Sequence, residues 1–254
     1  MEVVGEFLGI NEDKKIWQYF KISWNHYFPN IGSRSSFVKQ SINLTKIKNR
    51  IYSALKERLI NSIPQEVFIA DGIPIPVCKY ARAFRHKNFK SDAAFSYCAA
   101  KDEKYYGFKG NIVTTNSGII IGFNLAPSNL DEREALLEMA YFLKNLLIAD
   151  KGYIGKEWQE IFLKAGIDLQ TPLRSNMKEE RPKWFLKYMM KTRKTVETVI
   201  SQLTERFSIN KVKARTMWTL ANRIARKLLS HTMAVFINKQ QGNKLLQFDK
   251  LVKI

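Results

Sequence analysis

Cysteine and histidine are scarce in this sequence of 254 residues, and their scarcity excludes several kinds of site. The two cysteines, Cys78 and Cys98, form no Cys-x-x-Cys pair and lie near no cluster of histidines, so we expect no zinc site. Two free thiols are the expected state, which suits a reducing cytoplasm. The three histidines, His26, His86 and His231, are far apart in the sequence, so we expect no catalytic site built on paired histidines.

Long apolar runs are also missing, and with them the usual signs of a membrane or secreted protein. No run approaches the ~20 residues that a membrane-spanning helix needs. The first residues, MEVVGEFLGINEDKK, lack the basic start that precedes the apolar stretch of a signal peptide. We therefore expect a cytoplasmic protein without a membrane partner.

Acidic residues are outnumbered by basic ones, and the basic excess is unevenly placed. The sequence has 42 Lys and Arg against 23 Asp and Glu, a formal net charge of +19. Residues 174–254 alone contain 19 Lys and Arg but five Asp and Glu. Such an excess predicts a polyanionic partner, with nucleic acid first and an acidic membrane surface second. With DNA as the partner, the expected location is the nucleoid.

Apolar periodicity divides the chain into a helical start, residues 1–61, and a region in which strands and helices alternate. The strands are predicted at 66–71, 105–115, 118–126, 145–150 and 166–172, and the later helices after Asp131, at 156–165, 184–207 and 218–238. The residues between the first two strands are interpreted as a long basic connection. This order predicts an α/β fold, a mixed five-stranded sheet flanked by helices, with a helical region before it and a helical extension after it. It is also the order of the ribonuclease H-like fold.

Two of the predicted strands end in the same way. FIADG ends on Asp71 and LIADKGY ends on Asp150, each after an apolar run and an alanine. If these strands are parallel neighbours, their ends bring the two carboxylates together, and a divalent cation relieves the repulsion between them. Glu197 is the third acid that we select, because Val196 and Val199 beside it predict a helix face that packs on the sheet. Taken singly, each acid is more often structural: Asp before Gly is usually a turn, and Glu197 four residues after Arg193 is usually a surface ion pair.

Oxygen ligands without sulfur or histidine favour Mg²⁺ or Mn²⁺, and two such ions can support cleavage of a phosphodiester. Basic side chains near the acids are expected to line the DNA. They are Lys79, Arg82, Arg85, Lys87, Lys90 and Lys109, followed by Arg174 in a second basic band. Trp184 and Trp218 lie among basic residues and could stack on an unpaired base, although core packing is the expected role of both.

The sequence resembles the DDE transposases of bacterial insertion sequences, which have a ribonuclease H-like catalytic domain. The resemblance covers about residues 20–235 and lies in FIADGIPIPVCKYAR, YYGFKGNIVTTNSGIIIGF, IADKGYIGKEW, PLRSNMK and RKTVETVISQL. It implies that Asp71, Asp150 and Glu197 are the catalytic, metal-binding acids. It also matches Tyr153 to a tyrosine that follows the second aspartate, and Arg193 to an arginine four residues before the glutamate, which we add to the expected DNA contacts.

The activity that the resemblance implies is cleavage of DNA at transposon ends and strand transfer to target DNA, with two Mg²⁺ or Mn²⁺ ions and with a homo-oligomer assembled on the DNA. The sequence departs from some relatives at Thr204, where they place a lysine. Its amino-terminal region is also short for the family, so we expect an N-terminally truncated copy.

Three regions are predicted: a helical, candidate DNA-binding region at 1–61, the ribonuclease H-like catalytic domain at 62–237, and a basic tail at 238–254. A DNA-binding protein derived from a transposase but without catalysis is the first alternative. A structural or membrane-surface protein is the second, and it would require a broad apolar helix face left unburied.

Overall fold

The computed structural model describes residues 1–63, 66–98 and 102–251. Its helices are α1 Glu2–Phe7, α2 Asp13–Ser23, α3 Arg34–Asn43, α4 Thr45–Asn61, α5 Glu132–Leu137, α6 Lys156–Lys164, α7 Lys183–Glu205 and α8 Met217–Gln240. Its strands are β1 Val67–Lys79, β2 Ala94–Cys98, β3 Glu103–Thr115, β4 Ile120–Pro127, β5 Asn145–Ile148 and β6 Ile167–Gln170. The predicted mixed α/β fold is confirmed, and its order of elements is consistent with a ribonuclease H-like domain.

The chain forms two compact units. One, the helical unit, comprises Met1–Arg58, Lys87–Phe89 and Ser201–Ile254, and the other, the sheet unit, comprises Leu59–His86 and Lys90–Ile200. The predicted regions 1–61, 62–237 and 238–254 stay a prediction, because compact units need not coincide with domains that fold alone. Residues 252–254 of the predicted tail lie outside the described residues.

The sheet has six strands in the order β2-β3-β1-β5-β6, with β4 also paired to β3. β3 pairs antiparallel with β1, β2 and β4, whereas β5 pairs parallel with β1 and β6. The predicted number of five strands was therefore wrong, because β2 lies within the segment interpreted as a connection. Its aromatic residues, Phe95 and Tyr97, are the exposed ones, so the strand lacks the usual alternation of buried apolar and exposed polar residues.

The first strand is longer than predicted and does not end at Asp71. β1 continues to Lys79 and includes Pro74 and Pro76. β5 pairs with β1 at Val67–Ile69, so the rest of that edge of β1 faces no β5 residue. Proline is tolerated there because it has no ladder hydrogen bond to donate on an open edge.

Turns and helix faces of the sheet unit follow the sequence pattern. Gly118 turns β3 into β4 with φ 88°, and Gly166 ends α6 with φ 77°; both angles lie in the left-handed region that favours glycine. On α7, Val196 and Val199 are fully buried, which confirms the predicted packing face of this helix. Because Val196 and Val199 face the core, the polar residues on the other faces of α7 are directed away from it.

The helical unit contains a buried network of charges. Arg226 is fully buried on α8, and its guanidinium contacts Glu6, Asp13 and Glu2 at 2.6, 2.6 and 3.0 Å. The Lys227 ammonium lies 2.6 Å from Glu6. These contacts connect α1 and α2 to α8 within the unit. None of the helices in the described part of the chain combines the length and apolar character needed to cross a membrane.

Candidate active site

Parallel pairing of β1 and β5 places Asp71 and Asp150 at matching positions on two neighbouring strands. Ile69 pairs with Ile148, and each aspartate lies two residues after its member of this pair. The equal offset follows from the matching motifs, in which the same apolar run, alanine and aspartate occur in both strands. The two carboxylates lie close enough for the charge of Asp150 to raise the pKa of Asp71.

Asp71 is half-buried, and its negative charge is only partly offset by its neighbours. Burial raises the pKa of its carboxyl to about 6, and the nearby charges of Asp150 and Glu132 act in the same direction. The Gly72 backbone N–H opposes this by donating a hydrogen bond of 2.7 Å to Asp71 Oδ1, and Arg193 opposes it by its charge. Among the described residues Asp71 has no ion-pair partner, so its negative charge is held at a cost in free energy.

Asp150 is paired with a basic residue of α7. Arg193 Nη2 lies 3.0 Å from Asp150 Oδ1, with the arginine side chain 20% and the aspartate side chain 47% exposed. Arg193 Nε is buried and has no hydrogen-bond partner in the described structure. Arg193 therefore holds one face of Asp150, while the exposed part of the carboxylate is open to another ligand.

Glu197 lies one helical turn after Arg193 and on the same side of α7. Its side chain is exposed. The described residues contain no group of three His, Cys, Asp or Glu side chains arranged to hold a metal ion. The structure thus brings Asp71 and Asp150 together and places Glu197 one turn from the arginine that binds Asp150, without joining the third carboxylate to the first two.

Glu132 is a residue of this site that the sequence interpretation missed. It begins α5, and its Oε1 lies 2.5 Å from Lys109 Nζ. A Cβ atom on Gly152 would lie 2.7 Å from Glu132 Oε2, and one on Gly72 would lie 3.6 Å from Oε1. The Glu132 carboxylate therefore fits against the two glycines that follow Asp71 and Asp150. The repeated glycine in the two aspartate motifs was the signal that could have indicated a bulky neighbour there.

Tyr153 adds a buried hydroxyl to the acidic site. The residue is 1% exposed, and its hydroxyl has no hydrogen-bond partner among the described residues. Burial raises the pKa of this hydroxyl far above its ordinary value, and the charges of Glu132, Asp71 and Asp150 add to the shift. The hydroxyl thus lies in the field of the same carboxylates that surround Asp71.

These residues suit a hard divalent cation. The site offers carboxylate oxygens, the donors that Mg²⁺ and Mn²⁺ prefer, and its negative charge exceeds what Arg193 and Lys109 supply in the described structure. Burial, and after it the charges of Asp150 and Glu132, raise the pKa of Asp71, and a bound cation would lower it. Glu197 on α7 carries a further exposed carboxylate, but the described structure does not group it with the other two acids.

The basic residues selected as DNA contacts fall into two groups. One group is exposed and consists of Lys79, Arg82, Arg85, Lys87, Lys90 and Arg174. The other consists of Lys109 and Arg193, whose charged groups are bound to Glu132 and Asp150. The expectation that Trp184 and Trp218 pack in the core was wrong, since they are 70% and 55% exposed. Each lies in the first turn of a long helix.

A family model described as "Transposase DDE domain" matches residues 61–217. This range is more than half of the chain and includes Asp71, Asp150 and Glu197. No curated protein and no solved structure matches the chain.

Proposed function

This chain belongs to the transposase DDE domain family, whose partner is DNA, and we propose that it cuts DNA at transposon ends and transfers the cut strands to target DNA. The observation that supports this most directly is the pairing of β1 with β5, which places Asp71 and Asp150 at equal distances beyond the same residue pair. The two aspartates come from distant parts of the chain, and Glu197 lies on α7 one turn from Arg193, which binds Asp150.

Asp71, Asp150 and Glu197 would hold two divalent metal ions, Mg²⁺ or Mn²⁺. Bound there, such ions would lower the pKa of the attacking water or hydroxyl and stabilise the leaving oxygen of the phosphodiester. The oxygen donors, the excess negative charge and the exposed Glu197 support this assignment.

The protein residues hold and orient the reacting groups. Arg193 fixes one oxygen of Asp150 at 3.0 Å and so sets the direction in which its other oxygen points. The Gly72 N–H does the same for Asp71 Oδ1 at 2.7 Å. Glu132 fills the space against Gly72 and Gly152, and its partner Lys109 lies against Gly72. Such prior positioning lowers the entropy cost of reaching the transition state.

The proposed reaction has two steps with the same bond changes. In the first, the oxygen of water bonds to the phosphorus, the bond from phosphorus to the 3′ oxygen breaks, and a 3′-hydroxyl is released. In the second, that 3′-hydroxyl bonds to a target phosphorus, and the target strand loses its own 3′ oxygen bond. No protein nucleophile is required, because charge neutralisation and positioning supply the catalysis.

Cleavage of a duplex that carries the element's terminal repeats tests the proposal. We expect nicking by the wild-type protein in Mg²⁺ and none in EDTA, and joining of a pre-cut end into a plasmid. Asp71→Asn and Asp150→Asn should reduce both reactions by at least about a thousandfold and leave binding of the same duplex in EDTA equal or tighter, since a negative charge is lost. Tyr141→Ala, an exposed change elsewhere in the sheet unit, is the matched control and should retain full activity.

The alternative function, DNA binding without catalysis, predicts a different result. Wild-type protein would then bind the terminal-repeat duplex but would not nick it at any Mg²⁺ or Mn²⁺ concentration. Equal nicking by the wild type and by Asp150→Asn would also contradict the proposed site, because it would place the activity elsewhere.

A further inference from the structure

Three exposed aromatic rings on the sheet unit contact one another, and a fourth exposed ring lies two residues further along the same strand as one of them. We call them the aromatic patch: Tyr80, Phe84, Phe95 and Tyr97, which are 41%, 78%, 45% and 53% exposed. The ring centroids of Tyr80 and Phe95 are 5.5 Å apart, and those of Phe84 and Phe95 are 6.0 Å apart. Contiguous exposed rings are uncommon on a protein surface and usually mark a binding site.

The fold builds this patch from two neighbouring segments. Phe95 and Tyr97 alternate with less exposed residues along β2, so both side chains leave the same face of that edge strand. Tyr80 and Phe84 come from the 3₁₀ helix Tyr80–Arg85 that follows β1. Phe95 also packs on Tyr106 of β3, with 5.0 Å between the ring centroids. The rings are thus supported from below by the sheet while their outer surfaces face solvent.

Basic residues lie next to the ring-bearing residues along the chain, and one of them lies near a ring. Lys79, Arg82 and Arg85 belong to or precede the same 3₁₀ helix, and all three are exposed. The Lys104 ammonium lies 5.7 Å from the centre of the Tyr80 ring. The sequence from Gly72 to Ser91 contains no Asp or Glu. Asp71 and Asp92 flank this segment, and Asp102, which follows β2, accepts a hydrogen bond from Tyr97.

We propose that the aromatic patch is a binding site for unpaired bases of single-stranded DNA, with the neighbouring Lys and Arg side chains on the phosphates. The inference rests on the proposed function, which makes DNA the partner of this surface. Ring faces can stack only on bases that have left the duplex, because paired bases expose edges rather than faces in the grooves. A positively charged border suits a polyanion, whereas a symmetric contact with a second copy would bring these like charges together.

Binding of labelled oligonucleotides to the full-length protein in EDTA tests the site. The probes are a fluorescein-labelled dT20 and a 20-base-pair duplex of mixed sequence, measured by anisotropy. We expect Phe84→Ala together with Phe95→Ala to weaken dT20 binding about 10- to 100-fold and to change duplex binding less than about threefold. Tyr141→Ala, at a residue 86% exposed but outside the patch, should leave both affinities unchanged.

The salt dependence separates stacking from charge. The double phenylalanine variant should keep the wild-type slope of log affinity against log salt for dT20, because it removes no positive charge. Arg82→Ala should reduce that slope by about 0.7. Agreement with both expectations supports a stacking site with charged borders.

Three results would overturn the inference. The first is unchanged dT20 affinity in the double variant, and the second is an equal loss for dT20 and duplex. The third is a wild-type oligomer that becomes monomeric in the double variant during sedimentation, which would identify the patch as a contact between copies. Magnesium-dependent nicking by the wild type would leave the proposed function intact in each of these cases, whereas absence of nicking would contradict the function itself.

Discussion

The helical unit and the sheet unit each contain a cluster of carboxylates, but the clusters differ in how well they are neutralised. In the helical unit Glu2, Glu6 and Asp13 are bound by four cations, Lys48, Arg223, Arg226 and Lys227. In the sheet unit, Asp150 and Glu132 have one cation each, Arg193 and Lys109, and Asp71 has none among the described residues. The carboxylates of the helical unit are thus neutralised by contacts within the fold. In the sheet unit the negative charge of Asp71 is not neutralised by any ion pair of the described residues.

The pKa values of the carboxylates show the same difference between the two clusters. Burial would raise the pKa of Glu2 and of Asp13, but Arg226 and the other neighbouring cations outweigh it and lower both. At Asp71 the effect of burial is larger than that of the Gly72 hydrogen bond and the Arg193 charge, and the pKa is raised to about 6. Ionised acids therefore stabilise the helical unit, whereas the ionised form of Asp71 destabilises the sheet unit. An unneutralised carboxylate is what a site for a cation would have before the cation binds.

The largest expected effect is that of removing the central cation of the helical cluster. Arg226→Ala leaves Glu6, Glu2 and Asp13 without their common partner, and Glu6 is fully buried. We expect a loss of about 3–5 kcal/mol in the free energy of unfolding, measured by urea titration with circular dichroism. Arg193→Ala is the matched variant at the other cluster and should lose about 1 kcal/mol or less, because Asp150 can be hydrated when its partner is gone. Equal losses in the two variants would contradict the contrast between the clusters.

Lowering the pH should reduce the stability of the helical unit, because His231 is buried in its neutral form. This side chain is fully buried, its Nε2 lies 3.0 Å from Gln202 Oε1, and burial lowers its pKa to about 3. The unfolded chain therefore binds one more proton than the native protein between pH 3 and the ordinary value of 6.5. Stability from this residue is complete above pH 6.5 and falls by up to about 1.4 kcal/mol for each pH unit below it.

Urea titrations at several pH values between 4.5 and 7.5 would measure this slope. His231→Gln should remove the contribution of His231 from the slope, and His26→Gln, at an exposed histidine, is the matched control. Equal slopes in the wild type and in His231→Gln would show that His231 is not held neutral by burial, and this comparison holds whatever Asp71 contributes to both proteins.

Asp71 should change the stability of the protein with pH in the opposite direction. Its native pKa is raised, so the native protein binds more protons than the unfolded chain between pH 4 and 6, and ionisation of Asp71 lowers stability as pH rises through that range. Asp71→Asn should therefore stabilise the metal-free protein at pH 7.5 by up to about 3 kcal/mol. Thermal unfolding in EDTA measures this gain.

Addition of Mg²⁺ provides the control for that variant. Mg²⁺ should raise the melting temperature of the wild type but not that of Asp71→Asn, because the variant lacks the carboxylate that needs the cation. If Asp71→Asn lowers stability in EDTA, Asp71 is a structural residue and the excess charge at the site is compensated by contacts other than a cation.

The sequence was informative where local pattern determines structure and uninformative where tertiary contacts do. The apolar runs before Asp71 and Asp150 predicted strands, and their parallel pairing was confirmed. The length of β1 was not predictable from Pro74 and Pro76, because their tolerance depends on where β5 ends. Tertiary context decides such cases.

Charged residues in the core were the other difficulty. Nothing local in the sequence distinguishes the buried Arg226 from an exposed arginine, since its partners come from α1 and α2, more than 200 residues away. Glu132 was missed for a similar reason, because its position against Gly72 and Gly152 follows from the packing of α5 at the sheet edge. Residue type and spacing indicate which acids can bind a cation, but only the fold indicates which of them already have a partner.

The smallest expected effect on stability, and the sharpest test of the third acid, is that of Glu197→Gln. Glu197 is exposed, so the change should alter the free energy of unfolding in EDTA by less than about 0.5 kcal/mol. In Mg²⁺ the wild type should gain about 1.4 kcal/mol for each tenfold excess of free ion over the dissociation constant. Glu197→Gln should need a higher Mg²⁺ concentration for the same gain, because one oxygen donor of the site has lost its charge. Glu205→Gln, at the end of the same helix, should follow the wild-type curve, and a Glu197→Gln curve that also follows it would remove Glu197 from the site while leaving Asp71 and Asp150 in place.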